Sequence, residues 1–318
     1  MSASIILRLI ELIEVCPMFE PSLEFVTCPD AHTGHRMAYW QWGQPDCGHL
    51  VLCVHGLTRQ GRDFDVLAQA LCQQAAQTGQ NLCVICPDMP GRGHSDWLAD
   101  PSGYQIPAYV GDLLTLLAHL NARTLDWVGT SMGGLIGMVV AGLAQAPAYA
   151  KVRRLLLNDV GPVIEWQALQ RIGQYLGNTG VFDSEQQAAD ALWAIGSSFG
   201  PHTPAQWLAL SRPLLKSLGD GTPRLTLHYD PALALPFKAV TAEAAAQGEA
   251  LLWQAYDRIC ADTLLVRGAD SDLLSSATAQ AMTQRGPKAR LIEFAGVGHA
   301  PTFVADDQVA AATAFLLG

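Results

Sequence analysis

Charge is scarce in this sequence, and positive charge is scarcer: 15% of the 318 residues are charged, with 19 Lys and Arg against 29 Asp and Glu, a net charge of −10. A surface of that sign repels phosphate backbones and acidic headgroups, so no nucleic-acid partner is expected. Long apolar runs are missing too. The N-terminal stretch MSASIILRLIELIEVCPMFEPS is broken by Arg8, Glu11 and Glu14, which leaves it too short and too charged to span a bilayer. It has neither the basic leader nor the small-residue cleavage site of a secretory signal. The expectation is an amphipathic helix packed on the body or on a second subunit, which leaves a homodimer open.

Cysteine is present but thinly spread. The eight residues Cys16, Cys28, Cys47, Cys53, Cys72, Cys83, Cys86 and Cys260 lack the density of a disulfide scaffold, so free thiols in a reducing, cytoplasmic compartment are expected. Cys83 and Cys86 form a CxxC inside the apolar run Leu82 to Cys86. Strand residues three apart face opposite sides, which argues for packing over a shared zinc or a redox pair. No cluster with metal-ligand spacing stands out, and no P-loop lysine follows the Gly91-Arg92-Gly93 turn. Neither a metal nor an organic cofactor is expected.

What the chain has is apolar bulk, 50% of its residues, and enough length for one large core with an insertion. Short β-like runs alternate with amphipathic stretches from residue 23, which predicts a mostly parallel sheet with helices on both faces. Eight strands are expected: Leu23 to Cys28, Met37 to Trp42, Leu50 to Val54, Leu82 to Cys86, Leu125 to Val128, Arg154 to Leu157, Thr263 to Val266 and Arg290 to Phe294. Helices are expected near Phe64 to Gln77, Pro107 to Leu120, Met132 to Gln145, Ser275 to Gln284 and Asp306 to Leu317. Between Pro162 and about residue 250 the strand rhythm stops, and short helices with Gly and Pro punctuation take over. The division that follows is an N-terminal extension (1–22), an α/β core (23–161 and 251–318) and a helical insertion (162–250). Trp166, Tyr175, Trp193, Phe199, Trp207, Tyr229 and Phe237 give the insertion rings for an apolar pocket or simply for its own small core.

The chemistry concentrates at Gly129-Thr-Ser131-Met132-Gly133-Gly134, which follows a predicted strand and opens a predicted helix. A G-x-S-x-G in that setting is a sharp turn that holds a serine in a strained conformation, with glycines where neighbouring chain passes closely. A serine hydroxyl is a poor nucleophile unaided, so it needs a base and an oxyanion stabiliser. The Met132 N–H, at the helix start, supplies one donor. Leu57 N–H, after His55-Gly56 at the end of the third predicted strand, supplies the second. His55 reads as a packed loop residue, and Asp88 and His94 read as turn and bracing residues. His299, in Gly296-Val-Gly298-His299-Ala-Pro between the last strand and the last helix, is the candidate base. Serine first and histidine last is one of the chain orders in which Ser-His-acid sites occur.

Taken together, VLCVHGLTR, CPDMPGRGHSD, VGTSMGG, LLLNDVGP, LLVRGADSDLL and GVGHAP resemble the α/β-hydrolase superfamily, in particular its capped esterase-like and epoxide-hydrolase-like members, from about residue 23 to the C-terminus. The resemblance implies the α/β-hydrolase fold, with a helical cap inserted after strand six. It also implies an acid to orient His299, taken from the end of strand seven or, in some relatives, of strand six. Gly268-Ala-Asp270-Ser271-Asp272 places serine where many relatives carry that acid, whereas Asn158-Asp159 resembles relatives in which the strand-six aspartate serves and a strand-seven serine assists. Asp159 is favoured over Asp272, and Asp270 comes third. The expected function is cleavage of a carboxylic ester, or a related small apolar acyl substrate, through an acyl-enzyme. A C–C bond hydrolase with the same serine and histidine, and a non-catalytic binding protein, are the alternatives. Epoxide hydrolysis and dehalogenation are disfavoured, since those relatives carry aspartate where this chain has Ser131.

Overall fold

The computed structural model describes residues 20–30, 33–43 and 47–318. The expected N-terminal helix lies outside the described residues. The eight anticipated strands form one sheet in the order β1-β2-β4-β3-β5-β6-β9-β10. They run Ser22–Cys28 (β1), His35–Gly43 (β2), His49–Val54 (β3), Leu82–Pro87 (β4), Thr124–Thr130 (β5), Val152–Asn158 (β6), Asp262–Gly268 (β9) and Arg290–Phe294 (β10). β1 pairs antiparallel with β2 and β2 with β4, and the remaining pairs are parallel. β3 and β4 are apolar at almost every position because helices cover both faces, so no side of either strand meets water.

Two apolar layers follow. One holds Leu50, Leu52, Trp127 and Leu155 under helices Ile106–Leu120 and Met132–Ala141; the other holds Val51, Val128 and Val266 under Asp65–Gln77 and Asp306–Leu317. Ile106–Leu120 starts with Pro107 in its first turn and stops at Asn121, which closes it in a left-handed conformation at φ 45°.

Between β6 and β9 the chain forms helices Trp166–Tyr175, Glu185–Gly196, Pro204–Ser211, Ala234–Lys238 and Ala242–Asp257. The expectation of helices alone needs correction here. Leu215–Ser217 (β7) and Leu225–Leu227 (β8) pair as a small antiparallel hairpin whose turn includes the Gly219-Asp220-Gly221 punctuation. Strands of three residues are too short for alternation to register. Hydrogen bonds join this segment to the loop after β4: Asp230 N–H donates to Gly91 O at 2.7 Å, and Gly93 N–H to His228 O at 3.0 Å.

A second correction concerns the thiols. Cys47 and Cys83 form a disulfide with Cα atoms 5.7 Å apart, tying the approach to β3 to the start of β4. Adjacency of β3 and β4 brings together two cysteines that the sequence separates by 36 positions. Cys28, Cys53, Cys72 and Cys86 are free and buried, and Cys260 is free and exposed. Among the described residues no helix is long and apolar enough to cross a membrane.

Candidate active site

The site lies where the parallel strands end. Their carboxyl ends point the same way, so loops from distant sequence positions meet there. β5 runs into Ser131, which adopts φ 52° and ψ −114° before helix Met132–Ala141 begins. Only a crossing this tight allows it: a Cβ on Gly129 would stand 2.4 Å from Gly133 O, and one on Gly133 would stand 2.0 Å from Val54 O. Those glycines let β5, the turn and the end of β3 touch backbone to backbone.

Ser131 Oγ lies 2.9 Å from His299 Nε2, and His299 Nδ1 lies 2.6 Å from Asp159 Oδ2. Because an ionised carboxylate only accepts, Nδ1 carries the ring proton and Nε2 faces the serine hydroxyl as acceptor. Asp159 is fully buried and sits at φ 54°, directly after β6. Gly268 N–H donates to its Oδ1 at 2.9 Å, and Ser271 O–H to its Oδ2 at 2.6 Å. Ser271 is itself held by Leu274 N–H at 3.1 Å. A carboxylate from the end of β6 thus meets His299, and a hydroxyl from the loop after β9 meets that carboxylate.

Asp272 does not join this group. Its carboxylate is half-exposed and pairs with Arg171 from helix Trp166–Tyr175, with guanidinium nitrogens at 3.0 Å. Of this pair only Arg171 lines the cavity. The structure brings Asp159, and not Asp272, to His299.

Leu57 follows β3, and Met132 opens the helix after Ser131, where first-turn N–H groups have no intrahelical acceptor. Gly56 between them faces the serine: a Cβ there would stand 3.8 Å from Ser131 Cβ, so any larger side chain would fill the reaction space. His55 is buried and structural. Met89 N–H donates to its Nε2 at 2.9 Å, and its Nδ1–H reaches Gly56 O at 2.6 Å. Burial holds its pKa down at about 4, so the ring is neutral. Asp88 braces the neighbouring turn by accepting from Gly61 N–H at 2.8 Å and His94 N–H at 2.9 Å.

Arg92 went unread in the sequence because its turn looked like punctuation. Its guanidinium is fully buried and donates to Leu57 O at 2.8 Å, Pro90 O at 2.6 Å and the Tyr109 hydroxyl at 2.8 Å, while Nη2 lies 3.5 Å from Met132 Sδ. Among the described residues no carboxylate lies within ion-pair distance. Arg92 therefore links Leu57 and Met132 from behind through its guanidinium.

Above Ser131 and His299 opens a cavity of about 360 Å³ with mostly apolar walls, among them Leu57, Tyr175, Phe182, Trp207, Leu210 and Tyr229. Tyr175, Phe199, Trp207 and Tyr229 line it as aromatic residues of the segment; Phe182 joins them, whereas Trp193 does not and Trp166 and Phe237 face a separate groove. Charge enters the cavity through Arg59, Asp63 and Arg171. Arg59 grips Asp63 through Nε at 2.6 Å and Nη2 at 2.8 Å, leaving Nη1 without a partner among the described residues. Burial pushes the Asp63 carboxyl above its ordinary range, and Arg59 opposes that shift.

The sequence model of the alpha/beta hydrolase family matches residues 51–312. The chain belongs to that family. A 3-hydroxybutyrate-oligomer hydrolase of Cupriavidus necator is 49% identical over 300 residues, covering 94% of this chain and 98% of that protein. A 2-(acetamidomethylene)succinate hydrolase of Mesorhizobium japonicum is 25% identical over 252 residues, 79% of this chain and 82% of that one. Among solved structures, an alpha/beta hydrolase from Novosphingobium aromaticivorans superposes with a TM-score of 0.77 at 32% identity, over 94% of this chain and 99% of that chain. Within this family the chain is an ester-cleaving serine hydrolase.

Proposed function

We propose that Ser131, His299 and Asp159 form the catalytic triad, that Leu57 and Met132 N–H groups form the oxyanion hole, and that the substrate is a short oligomer of a 3-hydroxy acid. The hydrogen-bond chain from Ser131 through His299 to a buried, doubly supported Asp159 is the observation that carries the triad reading. In this scheme His299 Nε2 takes the Ser131 proton as Oγ attacks the ester carbonyl, and the oxyanion gathers on the two N–H groups. His299 then protonates the departing alkoxide, and a water activated by the same nitrogen releases the acid. Asp159 holds the ring in the required tautomer throughout.

The relative from Cupriavidus motivates the substrate class, and the cavity supports it. Each unit of such an oligomer carries a small alkyl branch for the apolar walls, and oxygen atoms or a terminal carboxylate for the Arg59–Asp63 pair. We read residues 162–250 as a cap over a core of 23–161 and 251–318, and cytoplasmic placement as part of the same proposal. The buried free thiols favour that placement, and the Cys47–Cys83 bond counts against it.

The test compares kcat/KM for a 3-hydroxybutyrate trimer with that for a butyrate ester of similar leaving-group reactivity. The trimer is expected to win by at least about tenfold, since a buried polar group left unpaired by the plain acyl chain discriminates strongly. Arg59→Met should erase the preference. Cleavage of the butyrate ester with no cleavage of the trimer would remove the substrate reading and leave the esterase standing.

A further inference from the structure

Away from the triad, Cys28, His35 and Asp112 bring a sulfur, a ring nitrogen and a carboxylate oxygen within 4.8 Å of one another, with all three residues buried. Cys28 closes β1 and His35 opens β2, directly opposite in the antiparallel ladder. Asp112 comes from helix Ile106–Leu120, which packs against β1. An aspartate on the buried face of a core helix needs a partner.

His35 is 8% exposed, and neither of its ring nitrogens makes a hydrogen bond. Carboxylates nevertheless flank it on both sides: Nε2 is 3.3 Å from Asp112 Oδ1, and Nδ1 is 3.7 Å from Asp30 Oδ2. These separations are long for the protein. The hydrogen-bonded histidine–aspartate pairs close to 2.6 Å at His299–Asp159 and 2.7 Å at His49–Asp126, whereas the half-exposed His94 stands 3.6 Å from Asp88; His35 keeps its long spacing although it is buried. A nitrogen and an oxygen bound to one tetrahedral zinc at about 2.0–2.1 Å stand about 3.4 Å apart, close to the His35–Asp112 spacing.

We propose that Cys28 Sγ, His35 Nε2 and Asp112 Oδ1 bind one divalent metal ion of the zinc class, which ties the β1–β2 hairpin to helix Ile106–Leu120. A thiolate, an imidazole and a carboxylate together select zinc over the oxygen-seeking magnesium and calcium. Asp30 completes the arrangement from outside: its Oδ1 accepts Gly34 N–H at 2.7 Å, and its Oδ2 faces the far side of the His35 ring, where it orients the ligand. Water fills the remaining position. Binding releases the thiol proton, so affinity rises with pH. The ion has a structural role, separate from the chemistry at Ser131.

The test strips the full-length protein with a chelator and titrates it with Co²⁺ alone. One equivalent should bind with a thiolate-to-cobalt charge-transfer band in the near ultraviolet, and Zn²⁺ should displace it. Cys28→Ser should abolish the band. Asp30→Asn should keep the band while weakening affinity roughly 10- to 100-fold, as outer-shell carboxylates do. Fluorophosphonate labelling at Ser131 reports whether each variant has folded, and Cys28→Ala replaces Cys28→Ser if that variant fails the check. Absence of a stoichiometric band in the wild type would overturn the proposal and leave His35 as an imidazolium between two carboxylates. A band that persists in folded Cys28→Ser would overturn it equally, by placing the cobalt on another thiol such as the exposed Cys260.

Discussion

Asp159 and Asp272 separate two jobs that look alike in the sequence. Asp159 is buried, held by Gly268 and Ser271, and bonded to His299; Asp272 is half-exposed and paired with Arg171. Replacing the first should cost far more. Asp159→Asn is expected to lower kcat by about 10⁴, the scale on which a wrongly held histidine tautomer acts, while Asp272→Asn changes it by less than about tenfold. Steady-state kinetics on both variants checks this, and the reverse ranking would move the acid to the loop after β9. Arg92 invites a different experiment because it touches the reaction only through Leu57 and Met132. As a positioning residue it should affect kcat more than KM. Arg92→Met is expected to lower kcat on the order of tenfold or more, short of the 10²–10³ lost with an oxyanion donor itself, and Arg92→Lys should recover part of that loss. An effect confined to KM would contradict the assignment.

At the scale of elements, the parallel strands bring the site residues together: β3 leads to Gly56 and Leu57, β5 to Ser131, β6 to Asp159, β9 to the loop of Ser271, and β10 to the loop of His299. Much of this was legible. Central strands buried on both faces read as apolar runs; the elbow glycines and Gly298 sit against neighbouring backbone, and Gly296 adopts a left-handed conformation at φ 71°. The β7–β8 hairpin and the Cys47–Cys83 bond were not legible, because three-residue strands leave no period and strand adjacency is not written in sequence spacing. His55 shows how an element end also sets acid stability. Its native pKa of about 4 lies below the value near 6.5 of an unfolded histidine, so between those values the native state binds fewer protons. Its contribution is complete above about pH 6.5 and is lost as pH falls towards 4, on the order of 3 kcal/mol at most. NMR of the His55 ring against pH checks this, and a ring titrating near 6.5 would contradict it.

Over the whole molecule, the segment between β6 and β9 supplies most of the cavity's aromatic walls, and the strand ends supply its reactive floor. Composition announced rings without saying which face the opening, and packing assigns Trp166 and Phe237 elsewhere. The chain carries a net charge of −10, yet Arg59 and Arg171 place cations in the cavity itself. Local placement outweighs the total at such short range, because an enclosed apolar site screens charge poorly. Cys28, His35 and Asp112 escaped the sequence reading for the same reason as the disulfide: a ladder pair and a packed helix bring together residues with no ligand spacing. The central claim is that Ser131 is an activated nucleophile, and covalent labelling by a fluorophosphonate, located by peptide mass spectrometry, tests it most directly. The account predicts one adduct, on Ser131, that His299→Ala slows by orders of magnitude; an unlabelled Ser131 in folded protein, or unchanged labelling without His299, would contradict it.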